Sequence, residues 1–428
     1  MSSMEEFFLI CLGAVVYAYF GYPVLIWCLA HVCRRAHRFP PESSEQLPSV
    51  SLLIAAYNEE AVLENRLQNA LAMDYPRDRR EIVVASDGST DRTVDIVRKY
   101  EALGVGVRLL DFKVRRGKAA VLNAAMKEVK GEIVILSDAN SHTEPDAARK
   151  LVRWFNDPAM GVVCGRLVLT DPLTGRNADS LYWKYETFLK RSEGRLGALL
   201  GANGAIYAIR HNVFTPIPND TLVDDLVIPL WARLHTGCDV AFDSEAVAHE
   251  ESAPDVTHEF HRRSRIGAGG WKSLALLWPL ISPLQGWVAF TFVSHKILRW
   301  LGPFFLLGMI VSNLLLWEEP LFRWLLLAQA GFYILSLVGA YVPPRIKPLK
   351  VVYLATLFTG MNLALLLGFW RWLRGSQKAA WKRTHRRAEA AVPRVALNPI
   401  ALLPEIPKPL PALNCSNGRV PEINRVSP

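Results

Sequence analysis

Two kinds of apolar pattern alternate along the chain. Phe7 to Ala30 is an uncharged run of 24 residues, and Ser273–Ser294, Trp300–Trp317, Trp324–Val342 and Val351–Trp370 carry no charge either. A helix crosses the hydrocarbon core of a bilayer with about 20 apolar residues, so these runs predict membrane-embedded helices. Between them, residues 31–272 switch to short apolar runs separated by amphipathic stretches. Ser49–Ala56, Glu81–Ala85, Val105–Asp111 and Glu132–Leu136 read as strands. Glu59–Ala72, Thr90–Ala102 and Lys118–Lys127 read as the helices between them. Strands that are apolar throughout and joined through helices predict an α/β domain built on a mostly parallel sheet covered on both faces. Such sheets present their chemistry at the carboxyl ends of the strands.

The expected organisation follows. Residues 1–33 form an N-terminal transmembrane anchor and 34–48, rich in proline, a linker. Residues 49–272 form the aqueous domain, 273–296 an interface segment broken by Pro279, Pro283 and Gly286, and 297–373 the transmembrane helices. Residues 374–428 read as a basic, then proline-rich, disordered tail. Glu5 and Glu6 precede the anchor and Arg34, Arg35 and Arg38 follow it, which orients the anchor with the large domain on the cytoplasmic face. Arg345, Lys347 and Lys350, and the cluster from Arg371 to Arg387, also favour that face, so the C-terminus is expected there. The chain is thus expected to be a multi-pass protein of the cell membrane, in contact with the lipid bilayer.

Composition changes this picture little. The net charge of +9 comes from basic residues beside the apolar runs, which suits anionic lipid, and nothing resembles a nucleic-acid-binding module. The six cysteines, at 11, 28, 33, 164, 238 and 415, form neither a Cys-x-x-Cys nor a zinc-ligand pattern.

The candidate chemistry lies just after the strands. The first ends in Tyr57-Asn58-Glu59, the second in Asp87-Gly88-Ser89-Thr90-Asp91, and the fourth in Asp138-Ala139-Asn140. No Gly-x-Gly-x-x-Gly follows a strand, which disfavours a dinucleotide site, and Gly117-Lys118 lacks the rest of a P-loop. Carboxylates at such a crevice either accept hydrogen bonds from a base or ribose, or hold a hard divalent cation against a diphosphate. Asp87 also has a bland reading as turn and capping chemistry, and Asp224-Asp225 one as acidic residues at a helix N-terminus.

These segments, in this order, resemble the family 2 glycosyltransferases, inverting enzymes of the GT-A fold. The membrane-embedded branch includes proteins like cellulose, chitin and hyaluronan synthases. Gly201-Ala202-Asn203-Gly204-Ala205 is similar to the family's acceptor-side loop, and Leu222-Val223-Asp224-Asp225 to its Thr-Glu-Asp segment. His261-Arg262-Arg263-Ser264-Arg265-Ile266 stands where the family has Gln-x-x-Arg-Trp. Trp381-Lys382-Arg383-Thr384-His385-Arg386 is similar to a Trp-x-x-Thr-x-Arg of some synthases.

The resemblance implies a sugar donor activated as a nucleotide diphosphate, in particular a UDP-sugar, and a glycan acceptor in cell-envelope or exopolysaccharide synthesis, with a lipid acceptor as the alternative. It implies Asp225 as base with Asp224 beside it and Arg265 as the diphosphate clamp. It further implies Tyr57, Asn58, Glu59, Asp87, Lys118, Asn123, Asp138 and Arg262 at the donor. Asn203, Gly204 and Trp381 would lie on the acceptor side, and Asp138 with Asn140 would hold Mg²⁺ or Mn²⁺. Three departures stand out: Asn140 replaces an acid, Asp224 replaces the family's glutamate, and Ile266 replaces the tryptophan on which a growing chain stacks. Trp271 or Trp278 is the nearby aromatic able to replace that platform.

Overall fold

The computed structural model describes residues 2–33, 40, 47–170, 181–252, 256–342 and 349–377. Most of the expected linker and tail, Trp381 included, lies outside the described residues. In chain order the elements are α1 (Ser3–Val32), β1 (Val50–Ala56), α2 (Leu63–Leu71), β2 (Arg80–Asp87), α3 (Thr93–Ala102), β3 (Val107–Phe112), α4 (Lys118–Ala125) and β4 (Ile133–Asp138). Then come β5 (His142–Thr143), α5 (Ala147–Val152), β6 (Met160–Thr170), α6 (Leu181–Arg195), β7 (Tyr207–Arg210), α7 (Asp224–Thr236), β8 (Asp239–Glu251) and α8 (Val256–Leu277). Three long helices follow: α9 (Trp287–Leu315), α10 (Pro320–Tyr341) and α11 (Lys350–Leu373).

One eight-stranded sheet runs β3-β2-β1-β4-β7-β6-β8-β5. The first four positions are parallel, as the unbroken apolar strands predict. β7 then enters antiparallel to both β4 and β6, so the sheet as a whole is mixed. Alternate residues of β1 face two cores. Leu52 and Ile54 pack with Leu63 and Leu67 of α2 and Val97 of α3. Leu53 and Ala55 pack with Val121 and Leu122 of α4 and Val227 of α7. A fully buried aliphatic side chain of this kind contributes about 1.5–3 kcal/mol.

Two expected helix starts move inward. α2 begins at Leu63 instead of Glu59, and α3 at Thr93 instead of Thr90. Asn58 takes a left-handed φ of 55°. The amides of Asn58, Glu59 and Glu60 donate to Ser89 Oγ, Thr93 Oγ1 and Asp91 Oδ2 at 3.1, 2.8 and 3.1 Å. Side-chain acceptors from the neighbouring strand end thereby compete with the first helical turn of α2, and the two loops are stitched into one rim.

The expected interface segment divides into three parts. α8 continues through Ser273 to Leu277, two short turns follow at Trp278–Ile281 and Pro283–Gln285, and α9 already starts at Trp287. The charges of His295, Lys296 and Arg299 had hidden this early start. Two of them are answered by α6: His295 Nδ1 lies 2.6 Å from Glu193 Oε1, and Arg299 Nη1 lies 2.6 Å from Glu186 Oε1. Tyr22 of α1 donates to the same Glu193 at 2.7 Å. α1, α9, α10 and α11 are each long and apolar enough to cross a membrane, and they expose large apolar residues such as Phe20, Leu314, Trp324 and Leu354.

Candidate active site

The register of the parallel strands assembles the rim. Ala55 pairs with Asp138 and Ala56 with Ser86, so Tyr57, Asp87 and Asp138 end at one edge of the sheet. β7 pairs Tyr207 with Leu136 in the opposite sense, which brings the preceding loop, Gly201–Ala205, to the same edge. There the loop touches Asp138. The Asp138 amide donates to Gly204 O at 3.0 Å. A Cβ on Gly204 would sit 2.6 Å from Asp138 Oδ2, so only glycine allows this approach.

Lys118 is the centre of the cluster. Its ammonium lies 2.8 Å from Asp138 Oδ1 and 2.9 Å from Asp224 Oδ2. These three residues line one cavity with Gly204, Tyr207 and Leu53. Asp224 and Asp225 do open α7, as their bland reading held, yet Asp224 also faces the cluster. Asp225 is half-buried beside it, and its carboxylate makes no hydrogen bond or ion pair among the described residues. Its carbonyl accepts from the Ala202 amide at 2.7 Å, joining the two loops. Arg265 reaches the same segment and donates to Leu222 O at 3.3 Å.

Several other expected residues also hold the scaffold. Asp87 is fully buried, and its two oxygens accept from the amides of Arg116 and Gly117 at 2.6 and 2.9 Å. It thus fixes the loop that delivers Lys118, and Arg92, not Asp87, stands at the N-cap of α3. Asn58 is tied to Thr90. Glu59 sits in the turn before α2, and Tyr57 lies under the guanidinium of Arg115, 3.8 Å from the ring centre. Asn123 points away from the cluster and holds the loop at Ile217 and Asn219. Asn203 is clamped between Lys190 Nζ and Gly165 O. Arg262 pairs with Glu259 at 3.0 Å on the exposed side of α8. Asn140 lies in the turn after β4, two residues beyond Asp138. Ile266 packs against the core on the α4/α7 face of the sheet. Trp271 is enclosed by Trp300, Phe304, Phe369 and Trp372, so it offers no open platform for a sugar.

The charges explain the arrangement. Asp138 and Asp224 meet Lys118, and Asp225 stands beside them. Burial alone would lower the pKa of Lys118, but Asp138 and Asp224 outweigh it and hold the ammonium protonated. Burial raises the carboxyl of Asp224, Lys118 opposes the shift, and Asp225 and Asp138 add to it.

Three contributors carry little signal in the sequence. The resemblance places Lys118 at the donor without marking it as central, although a cation in the first turn of a helix opposes the dipole and therefore signals nearby acids. Arg66 lies on the apolar stripe of α2 between Leu63 and Leu67. It is fully buried behind Asp138, donates to Ser137 Oγ at 3.0 Å, and is lowered by burial to about 10 against the pull of Asp138. Tyr207 carries no motif signal. Its hydroxyl is buried without a hydrogen-bond partner among the described residues.

A divalent cation such as Mg²⁺ takes hard oxygen ligands, commonly one or two carboxylates with phosphate and water completing the shell. Asp138 and Asp224, whose oxygens already converge on one cation, fit that demand better than the expected pair of Asp138 and Asn140. Among the described residues no group of three or more acidic, His or Cys side chains could hold a metal unaided.

Against this geometry, residues 51–214 match the family described as Glycosyl transferase family 2. Residues 51–214 thus correspond to a family 2 glycosyltransferase domain. The chain is 28% identical over 255 residues to a beta-monoglucosyldiacylglycerol synthase of Synechocystis sp., covering 57% of this chain and 53% of that protein. It is 26% identical over 251 residues to a poly-beta-1,6-N-acetyl-D-glucosamine synthase of Staphylococcus epidermidis, covering 55% of this chain and 58% of that protein. The chain thus spans about half the length of the curated relatives it matches. A mannosyltransferase from Pyrobaculum calidifontis, PcManGT, solved in complex with GDP-Man and Mn²⁺, superposes with a TM-score of 0.66 at 22% identity, covering 87% of this chain and all of that one. The domain accordingly has the GT-A fold.

Proposed function

We propose that the protein transfers a sugar, with inversion, from a nucleotide-diphosphate donor to a hydroxyl of a glycan acceptor at the membrane surface. The observation that carries this reading is the convergence of Lys118, Asp138 and Asp224 beside Asp225, whose carboxylate is unpaired among the described residues, at the carboxyl edge of the sheet.

In this reading Tyr57 and the rim around Asn58 receive the nucleotide, and Asp138, with Asp224, holds Mg²⁺ or Mn²⁺. Such an ion would neutralise the diphosphate leaving group. Arg265 supplies a fixed cation beside Asp224 and Asp225, matched in geometry to phosphate oxygens. Asp225 removes the proton from the acceptor hydroxyl, which needs a carboxylate not already engaged by another donor. The loop at Asn203 and Gly204, fixed by Lys190, forms the acceptor-side wall. Asp87 acts through the Lys118 loop and is a positioning residue.

The relatives' names include both a polysaccharide synthase and a glycolipid synthase. The enclosure of Trp271 and the packing of Ile266 favour short products or transfer to a lipid, since neither side chain offers an aromatic face to a growing chain. The reading assigns the four apolar helices to the cell membrane and the domain to its cytoplasmic face. The test is incubation of the detergent-solubilised chain with a panel of nucleotide sugars, with and without Mn²⁺ or EDTA. The reading expects nucleotide-diphosphate release with one donor, abolished by EDTA. No release with any donor, in the presence of glycan and lipid acceptors, would refute it.

A further inference from the structure

Lys118 stands where its own helix disfavours it. It is the first residue of α4, at the positive end of the helix dipole, and it is only 24% exposed. What holds it there is the pair of carboxylates, at nearly equal distances of 2.8 and 2.9 Å. A single ammonium held between two acids engages the same oxygens that would hold a divalent ion. The two cannot share them, because like charges at that separation repel strongly in a half-buried site.

A second observation points the same way. Tyr207 lines the same cavity, and its buried hydroxyl has no hydrogen-bond partner among the described residues. Burial, reinforced by Asp224, Asp225 and Asp138, raises its pKa and keeps it a donor. Leaving a buried donor unmatched is unfavourable, so this hydroxyl is available to a group that enters the cavity.

We propose that Lys118 is an internal counter-ion that holds the Asp138–Asp224 pair in the metal-free protein, sets its affinity for a divalent cation by competing for the same oxygens, and moves to the donor diphosphate once displaced. This rests on the proposed nucleotide-diphosphate chemistry and adds a positioning role that the motif resemblance does not contain. Metal and donor then bind together more tightly than either alone, because the diphosphate gives the displaced ammonium a new partner.

The experiment is titration of the purified full chain with Mn²⁺, followed by electron paramagnetic resonance, with and without uridine diphosphate as probe. Lys118→Met should bind Mn²⁺ in the absence of nucleotide at least ~10-fold more tightly than the parent, a difference of about 1.4 kcal/mol. Lys118→Arg keeps the charge and should stay near the parent value. Uridine diphosphate should tighten Mn²⁺ binding in the parent and do so less in Lys118→Met. Lys118→Gln gives the same comparison if the methionine variant does not fold. Unchanged or weaker Mn²⁺ binding in the neutral variants, with binding still lost in Asp138→Asn, would overturn the competition while leaving the proposed metal site intact. Mn²⁺ binding absent from every variant, even with uridine diphosphate, would overturn both.

Discussion

Gly204→Ala tests whether the position of the Asp138 carboxylate governs the reaction. The added methyl would stand 2.6 Å from Asp138 Oδ2 and 3.4 Å from its Cγ. Ordinary van der Waals separation requires the carboxylate to retreat by roughly 0.5–1 Å. The backbone cannot relieve the clash freely, because the Asp138 amide is bonded to Gly204 O at 3.0 Å. The retreat therefore falls on the side chain and pulls Oδ1 away from Lys118. Overpacking of this kind costs about 1–3 kcal/mol in stability. A shift of about 1 Å in a reacting group costs on the order of 100-fold in rate. The assay is nucleotide-diphosphate release at saturating donor, alongside thermal unfolding. Gly131→Ala is the control: its methyl would meet the backbone of Val50 and Ser51 at the opposite end of the sheet. It should lower the unfolding temperature while the folded protein keeps its specific activity. A Gly204→Ala protein within twofold of the parent rate would refute the argument, since the carboxylate would then tolerate displacement.

Asp225→Asn should leave donor binding near the parent value and lower turnover by about 10²–10⁴-fold, the range for loss of a general base; substantial remaining turnover would pass the role to Asp224. Glu81 accepts from Ser51 Oγ and the Lys130 amide and pairs with Arg108. Against burial, which alone would raise it, these partners hold its carboxyl below the usual range. Its contribution is thus fully present above the unfolded value of about 4.3 and is lost as pH falls through the folded value. Glu81→Gln should cost about 1–3 kcal/mol at pH 7, and its unfolding temperature should converge with the parent's in acid. Three apolar helices follow the domain. If each crosses the membrane once, cysteines at Glu318 and Ser376 are labelled from the same face, opposite the domain. Labelling of Ser376→Cys from the domain side would show that one of them does not cross, as the basic cluster after Arg371 suggests.

The fold was legible where sequence pattern and physics coincide. Four apolar strands and their helices were located because a doubly covered parallel sheet leaves no polar alternation to confuse them. The antiparallel entry of β7 was not legible, since four residues at Tyr207–Arg210 carry no pattern of their own. α9 was read as starting too late because His295, Lys296 and Arg299 look like a boundary until Glu186 and Glu193 of α6 are seen opposite them. At the site, the motif order brought Asp138, Asp224, Asp225 and Arg265 into view. It could not distinguish side chains facing the cleft from those facing the scaffold. Asp87, Asn123 and Asn203 belong to the motifs yet hold loops, whereas Lys118 holds the centre. That difference depends on side-chain direction, which spacing alone does not specify.

The central claim is direct displacement at the anomeric carbon, with Asp225 as base and no covalent sugar–protein intermediate. The most direct test is proton magnetic resonance of the first glycosidic bond formed by the purified chain from an α-linked nucleotide sugar. The account predicts a β-linked product from the first turnover. An α-linked product would contradict it.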